Sequence, residues 1–115
     1  MLFRSAPHGC THALWLGEGG PALVRNYDYP LDIVSPGILS SRWMGREVVA
    51  KAQRPWGGVT DGMNADGLAV SIALGGHVGI GEGFAVILMA RYALETCRSV
   101  REAAAALGQI GRAHV

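Results

Sequence analysis

The sequence predicts an α+β fold, with antiparallel strands first and helices after residue 84. Three observations predict it. Up to Gly76, short apolar runs alternate with clusters of turn-forming residues; from Phe84 to Cys97 glycine and proline are absent; and from Ser99 a helix-capping pattern leads into a run of alanines. Seventeen of the 115 residues are glycine and half are hydrophobic, a balance that suits a folded, turn-rich chain and argues against disorder. The length allows one domain or less.

The elements follow in order. Thr11 to Leu16 and Ala22 to Tyr29 are apolar and aromatic runs on either side of the turn cluster Gly17-Glu-Gly-Gly-Pro21, the pattern of a β-hairpin. Its return strand would carry Arg25 and Asp28 back toward the strand that begins at Cys10. Pro30 and Pro36 interrupt the chain, and a second hairpin is expected from Ile38–Trp43 and Glu47–Ala52 around Met44-Gly45-Arg46. Asp61-Gly-Met-Asn-Ala-Asp-Gly67 is dense in turn formers, and Leu68 to Leu74 has the composition of a buried strand ending at Gly75-Gly76. In the stretch 84–97 the charged residues Arg91 and Glu95 stand four apart, on one narrow stripe of a helix buried on most sides. Ser99-Val-Arg-Glu102 is a capping box, so a second helix should start at Val100.

Charge and hydropathy exclude several classes. The ten basic residues are scattered and the net charge is +1, which gives no electrostatic case for nucleic acid or an anionic membrane. The amino terminus lacks the basic and apolar segments of a signal peptide, and the apolar run Phe84 to Ala90 is too short to span a bilayer, so a cytoplasmic location is the default. The two cysteines, Cys10 and Cys97, do not form a secreted disulfide framework and are expected as free thiols, Cys97 as a packing residue. His8, His12, His77 and His114 have no paired metal-ligand spacing, so neither a metal nor a cofactor is assigned. Gly76-His-Val-Gly-Ile-Gly-Glu-Gly83 fits no phosphate-loop pattern and reads as a mobile loop. Trp15, Trp43 and Trp56 read as core or rim residues.

The candidate chemistry centres on Cys10. A cysteine whose α-amino group is freed by cleavage before it holds nucleophile and base in one residue. A free cysteine has a pKa of about 8.5, lowered by a nearby cation, and an α-amino group titrating at about 7.7–8.0 suits the role of base. Alone, Cys10 would be a small buried strand residue and Arg25 with Asp28 a solvated ion pair. Arg25 and Asp28 follow Cys10 by fifteen and eighteen residues, and Asn64 comes later, a turn asparagine by its local context. The ordered set favours a site.

Cys10-Thr11, Arg25-Asn-Tyr-Asp28, Trp56, Asp61-Gly-Met-Asn-Ala-Asp-Gly-Leu-Ala-Val-Ser71, Gly75-Gly76 and Arg91-Tyr-Ala-Leu-Glu-Thr-Cys97 together resemble the linear-amide hydrolases related to penicillin acyltransferase, of the peptidase C45 type. These are N-terminal-nucleophile hydrolases, beside choloylglycine hydrolase and acid ceramidase. The resemblance implies the N-terminal part of an αββα sandwich, self-cleavage before the cysteine, and hydrolysis or transfer of an acyl group from a small linear amide. It implies catalytic roles for Cys10, Arg25 and Asp28, the aspartate orienting the freed amine and the arginine lying beside the thiol. The chain departs from the bile-salt-hydrolase relatives at Leu74, where they carry an oxyanion asparagine, so any donor there would be backbone N–H near Gly75 or Gly76. Residues 1–9 are then a leader removed by self-cleavage and 10–109 the N-terminal part of the hydrolase domain. Residues 110–115 are expected to be a non-native tail, because one string that would encode them, ATC-GGA-AGA-GCA-CAC-GTC, resembles a common sequencing adapter. A truncated, inactive module that associates with another chain is the alternative.

Overall fold

A computed structural model describes residues 9–54, 57–73 and 82–110. The first hairpin is β1 (Gly9–Gly17) paired antiparallel with β2 (Gly20–Asp28), from Gly9 opposite Asp28 to Gly17 opposite Gly20. A second sheet has the order β3-β4-β5-β6, with β3 Val34–Ser41, β4 Val48–Gln53, β5 Gly58–Asn64 and β6 Ala69–Ser71, all antiparallel. Two helices follow, α1 Val86–Thr96 and α2 Val100–Gln109.

The second hairpin turns where its glycine allows it, Gly45 having φ +82°. Pro36 does not interrupt the chain ahead of the strand as expected but lies within β3, between Val34 and Ile38, where the register with β4 shifts. β3 is an edge strand, and an irregular edge is where a sheet tolerates a residue without an N–H. The turn expected over residues 61–67 is also shorter than its composition suggests. β5 runs through to Asn64, leaving Ala65 and Asp66 for the turn, and β6 stops at Ser71; the strand end expected at Gly75-Gly76 lies outside the described residues.

A bulge in β5 decides which way its side chains face. Lys51 pairs with Asp61 but Ala52 with Val59, so Thr60 is the extra residue. Strict alternation would put Val59 and Asp61 on one face; the bulge lets Val59 point into the core, fully buried, while Asp61 faces the other side. Val48, Ala50 and Val59 pack against Ala90 and Leu94 of α1. Gly58 permits the close approach, since a Cβ there would come 2.5 Å from the Ile87 side chain. A second cluster, Leu68, Ala93, Cys97 and Ala103, joins α1, α2 and the start of β6. The stripe of Arg91 and Glu95 is buried in an ion pair of 2.9 Å, and Arg91 stacks on Trp43 and donates to the Gly57 carbonyl. Ser99 caps α2 by accepting from Glu102 N, while Glu102 accepts from the Arg98 amide.

Cysteines 10 and 97 are free, and Cys97 is buried at the end of α1. Trp15 and Trp43 are both exposed and so belong to the rim; Trp56 lies outside the described residues. Among the described residues no helix is long and apolar enough to cross a membrane, and no group of three or more metal-ligating side chains forms.

Asn64 ties the strands to the helices. Its Nδ2 donates to the carbonyls of Leu94 (2.9 Å) and Cys97 (2.7 Å), and its Oδ1 accepts from the amides of Asp66 (3.1 Å) and Leu68 (3.0 Å). The local turn bonding expected from sequence is present, and the same side chain also satisfies carbonyls at the end of α1, which no later helical turn can reach. Asn64→Ala should destabilise the fold by about 3 kcal/mol, since buried groups left without partners cost about 1–3 kcal/mol each. Urea unfolding checks this; a loss below about 1 kcal/mol would mean that water replaces the amide.

Candidate active site

One face of the first hairpin carries the candidate chemistry. Residues directly opposite in an antiparallel pair share a face, so Cys10 with Tyr27 and His12 with Arg25 stand on the same side. Asn26 and Asp28 stand on the other. That first side meets the four-stranded sheet through three polar links. Tyr27 Oη donates to Gln53 Oε1 at 2.5 Å, His12 Nε2 and Ser71 Oγ share a hydrogen bond of 2.9 Å, and Arg25 spans to β5.

Arg25 is the centre of the group. Its Nη1 donates to Asp61 Oδ1 at 2.7 Å and to the Thr60 carbonyl at 3.0 Å, and its Nη2 donates to Cys10 Sγ at 3.7 Å. Its guanidinium carbon lies 4.4 Å from the Tyr27 ring centre, and its side chain is only 9% exposed. The buried Nε finds no partner among the described residues. Enclosing a cation is costly unless an anion and hydrogen bonds compensate, and Asp61 supplies the anion. Thr60 Oγ1 donates to the same Asp61 oxygen at 2.7 Å.

Cys10 opens onto a recess of about 150 Å³ lined by Tyr27, Tyr29, Gln53, Ile72, Val86 and Ile87, among others. Tyr27 and Tyr29 stack at 4.5 Å between ring centres. Burial pushes the Tyr27 hydroxyl above a tyrosine's ordinary range, Tyr29 pushes the same way, and Arg25 opposes them.

The structure therefore brings Cys10 and Arg25 together. Asp28 stands opposite Gly9, with Oδ1 accepting from Asn26 Nδ2 at 2.7 Å, on the face away from the thiol and beside the backbone that precedes Cys10. Asn64 lies in the core, bonded to the helix end. Gly75 and Gly76 fall outside the described residues. Sequence gives neither Asp61 nor His12 a site role, although Asp61 opens one of the stretches that carry the resemblance. The two-residue period places His12 on the face of Cys10 and could have revealed it, whereas the bulge that aims Asp61 breaks the period.

A helical layer, a four-stranded antiparallel sheet and a second antiparallel sheet on its far side match the N-terminal part of an N-terminal-nucleophile hydrolase fold. The family model described as acyl-coenzyme A:6-aminopenicillanic acid acyl-transferase matches residues 15–115, and the chain belongs to that family. The matched stretch includes Arg25, Asp28 and Asp61, and Cys10 lies five residues ahead of it. No curated protein and no solved structure matches the chain. Membership makes acyl transfer or amide hydrolysis the chemistry of its class.

The raised value of Tyr27 has a consequence for stability. The folded chain holds this proton more tightly than the unfolded chain, so the stabilisation is complete below a pH of about 10 and is lost as pH rises through the folded value. Tyr27→Phe should therefore lose less stability than the parent chain over that range. Unfolding at a series of alkaline pH values reads the difference, and parallel curves would assign the alkaline loss to other groups.

Proposed function

We propose that the chain carries the nucleophile of a self-processing cysteine amidohydrolase or acyltransferase that acts on small linear amides through a thioester. The observation that supports this reading is the Arg25 guanidinium 3.7 Å from Cys10 Sγ, held there by Asp61. A neighbouring cation favours the thiolate, which is the attacking form. Family membership supplies the acyl-transfer context.

The cycle begins with maturation. The Cys10 thiol adds to the Gly9 carbonyl, the Gly9–Cys10 amide bond breaks as the nitrogen takes up a proton and becomes the free Cys10 amine, and water hydrolyses the resulting thioester, which releases the leader with a Gly9 carboxylate and regenerates the thiol. Glycine before the scissile bond adopts the strained backbone this requires at the least steric cost. In turnover the free amine takes the thiol proton, the thiolate attacks the amide carbonyl, and the ammonium returns the proton to the leaving amine. Water or an acceptor amine then attacks the thioester and regenerates the thiol. Backbone N–H groups hold the oxyanion. Asp28, beside the Gly9–Cys10 backbone, orients the new amine.

A second reading, an inactive module that pairs with another chain, is supported by the sheet surface away from the helices, where Ile38, Val49 and Met63 are 69%, 56% and 56% exposed. Size-exclusion chromatography discriminates: a stable monomer counts against pairing.

Cys10→Ala should lower amide turnover by a factor of at least about 10³ and should leave the peptide before residue 10 uncut. Retention of normal amidase activity would remove the assignment. Intact mass spectrometry of active enzyme should read an amino terminus at Cys10, and active enzyme that still carries Gly9 would defeat self-processing while leaving the fold intact.

A further inference from the structure

Asp61 is exposed on one side and engaged on the other. Its Oδ1 accepts two hydrogen bonds of 2.7 Å, from Arg25 Nη1 and from Thr60 Oγ1, while the other terminal nitrogen of Arg25 points to Cys10 Sγ. The Thr60 carbonyl takes a second bond from Nη1 at 3.0 Å. The bulge at Thr60 turns Asp61 toward the hairpin rather than into the core. From these contacts we infer that Asp61 is the positioning residue of the site: it fixes the guanidinium so that Nη2 faces the thiol. The inference rests on the proposed role of Cys10 as nucleophile.

Two effects of Asp61 oppose each other, and their signs separate them. As a negative charge, it disfavours a thiolate nearby. As an anchor, it holds a cation in contact with that thiolate. The carboxylate is bonded to Nη1 and the sulfur to Nη2, so the thiol has the cation as its direct neighbour and the carboxylate acts on it through that cation. The anchor therefore outweighs the repulsion. Lys51, opposite Asp61 in the β4–β5 ladder, faces the carboxylate from β4, with its Nζ directed to the Gly37 carbonyl at 3.5 Å. Ser71 is the partner of Asp61 on β6 and is bonded to His12. His12, Arg25 and Tyr27 face the thiol from the hairpin, and Tyr29 lines its recess.

The test needs no substrate. The full chain is alkylated with iodoacetamide across a range of pH, and peptide mass mapping separates Cys10 from Cys97. Asp61→Ala should raise the pH of half-maximal Cys10 alkylation by about one unit, the lower end of what an adjacent opposite charge is worth, and slow alkylation near neutral pH by several-fold. Asp61→Asn keeps an oxygen acceptor for Nη1 and removes the opposing charge, so its midpoint should fall at or below that of the parent chain. If the alanine variant does not fold, Asp61→Ser, with a hydroxyl too short to reach Nη1, takes its place. An unchanged or lowered midpoint in the alanine or serine variant would overturn the inference, as would an asparagine midpoint raised as far as theirs. Arg25→Ala separates the two levels of argument. If it raises the midpoint while Asp61→Ala does not, only the role of Asp61 falls; if it leaves the midpoint unchanged, the reading of Arg25 beside a nucleophilic Cys10 falls, and this inference with it.

Discussion

A buried guanidinium stands at the centre of the polar links that join the two sheets. The hairpin β1–β2 shares no backbone ladder with β3–β6, and its near face is held to the larger sheet by side chains, with Arg25 at the middle. Burying a cation is costly unless it is paired and hydrogen-bonded, so the geometry that satisfies Arg25 also fixes where the hairpin sits. Because Cys10 is on the same face of that hairpin, the position of the thiol is coupled to the same set of bonds. Fold and candidate chemistry thus share one electrostatic constraint.

The order of elements was legible because it rests on local rules. Gly45 with its positive φ, the hydroxyl of Ser99 at the start of α2 and the uninterrupted apolar stretch of α1 each act within a few residues. What sequence left hidden depends on distant partners. Arg91 and Glu95 read as a charged stripe, and nothing near them in sequence announces that Trp43 and the Gly57 carbonyl will cover the arginine. Asn64 shows its turn role locally, but its bonds to Leu94 and Cys97 exist only after α1 has packed.

The candidate site was legible in part for the same reason. The spacing from Cys10 to Arg25 matters because a tight hairpin between Gly17 and Gly20 converts distance along the chain into adjacency across a ladder. The site role of Asp61 is not legible in the sequence because it follows from Thr60, an inserted residue that reverses the facing of everything after it. Hydrophobic alternation has no signature for such a reversal; Val59 and Asp61, two apart, would be read as sharing a face.

The ladder itself shapes what maturation would produce. Gly9 opposite Asp28 is the first of nine backbone pairs, so a cut before Cys10 leaves eight of them in place. The new chain end would not be a loose terminus that must find its site. It would be created already aligned, at the break point itself and opposite Tyr27, with its translational and rotational freedom removed before any substrate arrives. In kinetic language, the amine would act at a high effective molarity from its first turnover, and the entropy of placing it would have been settled when the hairpin folded.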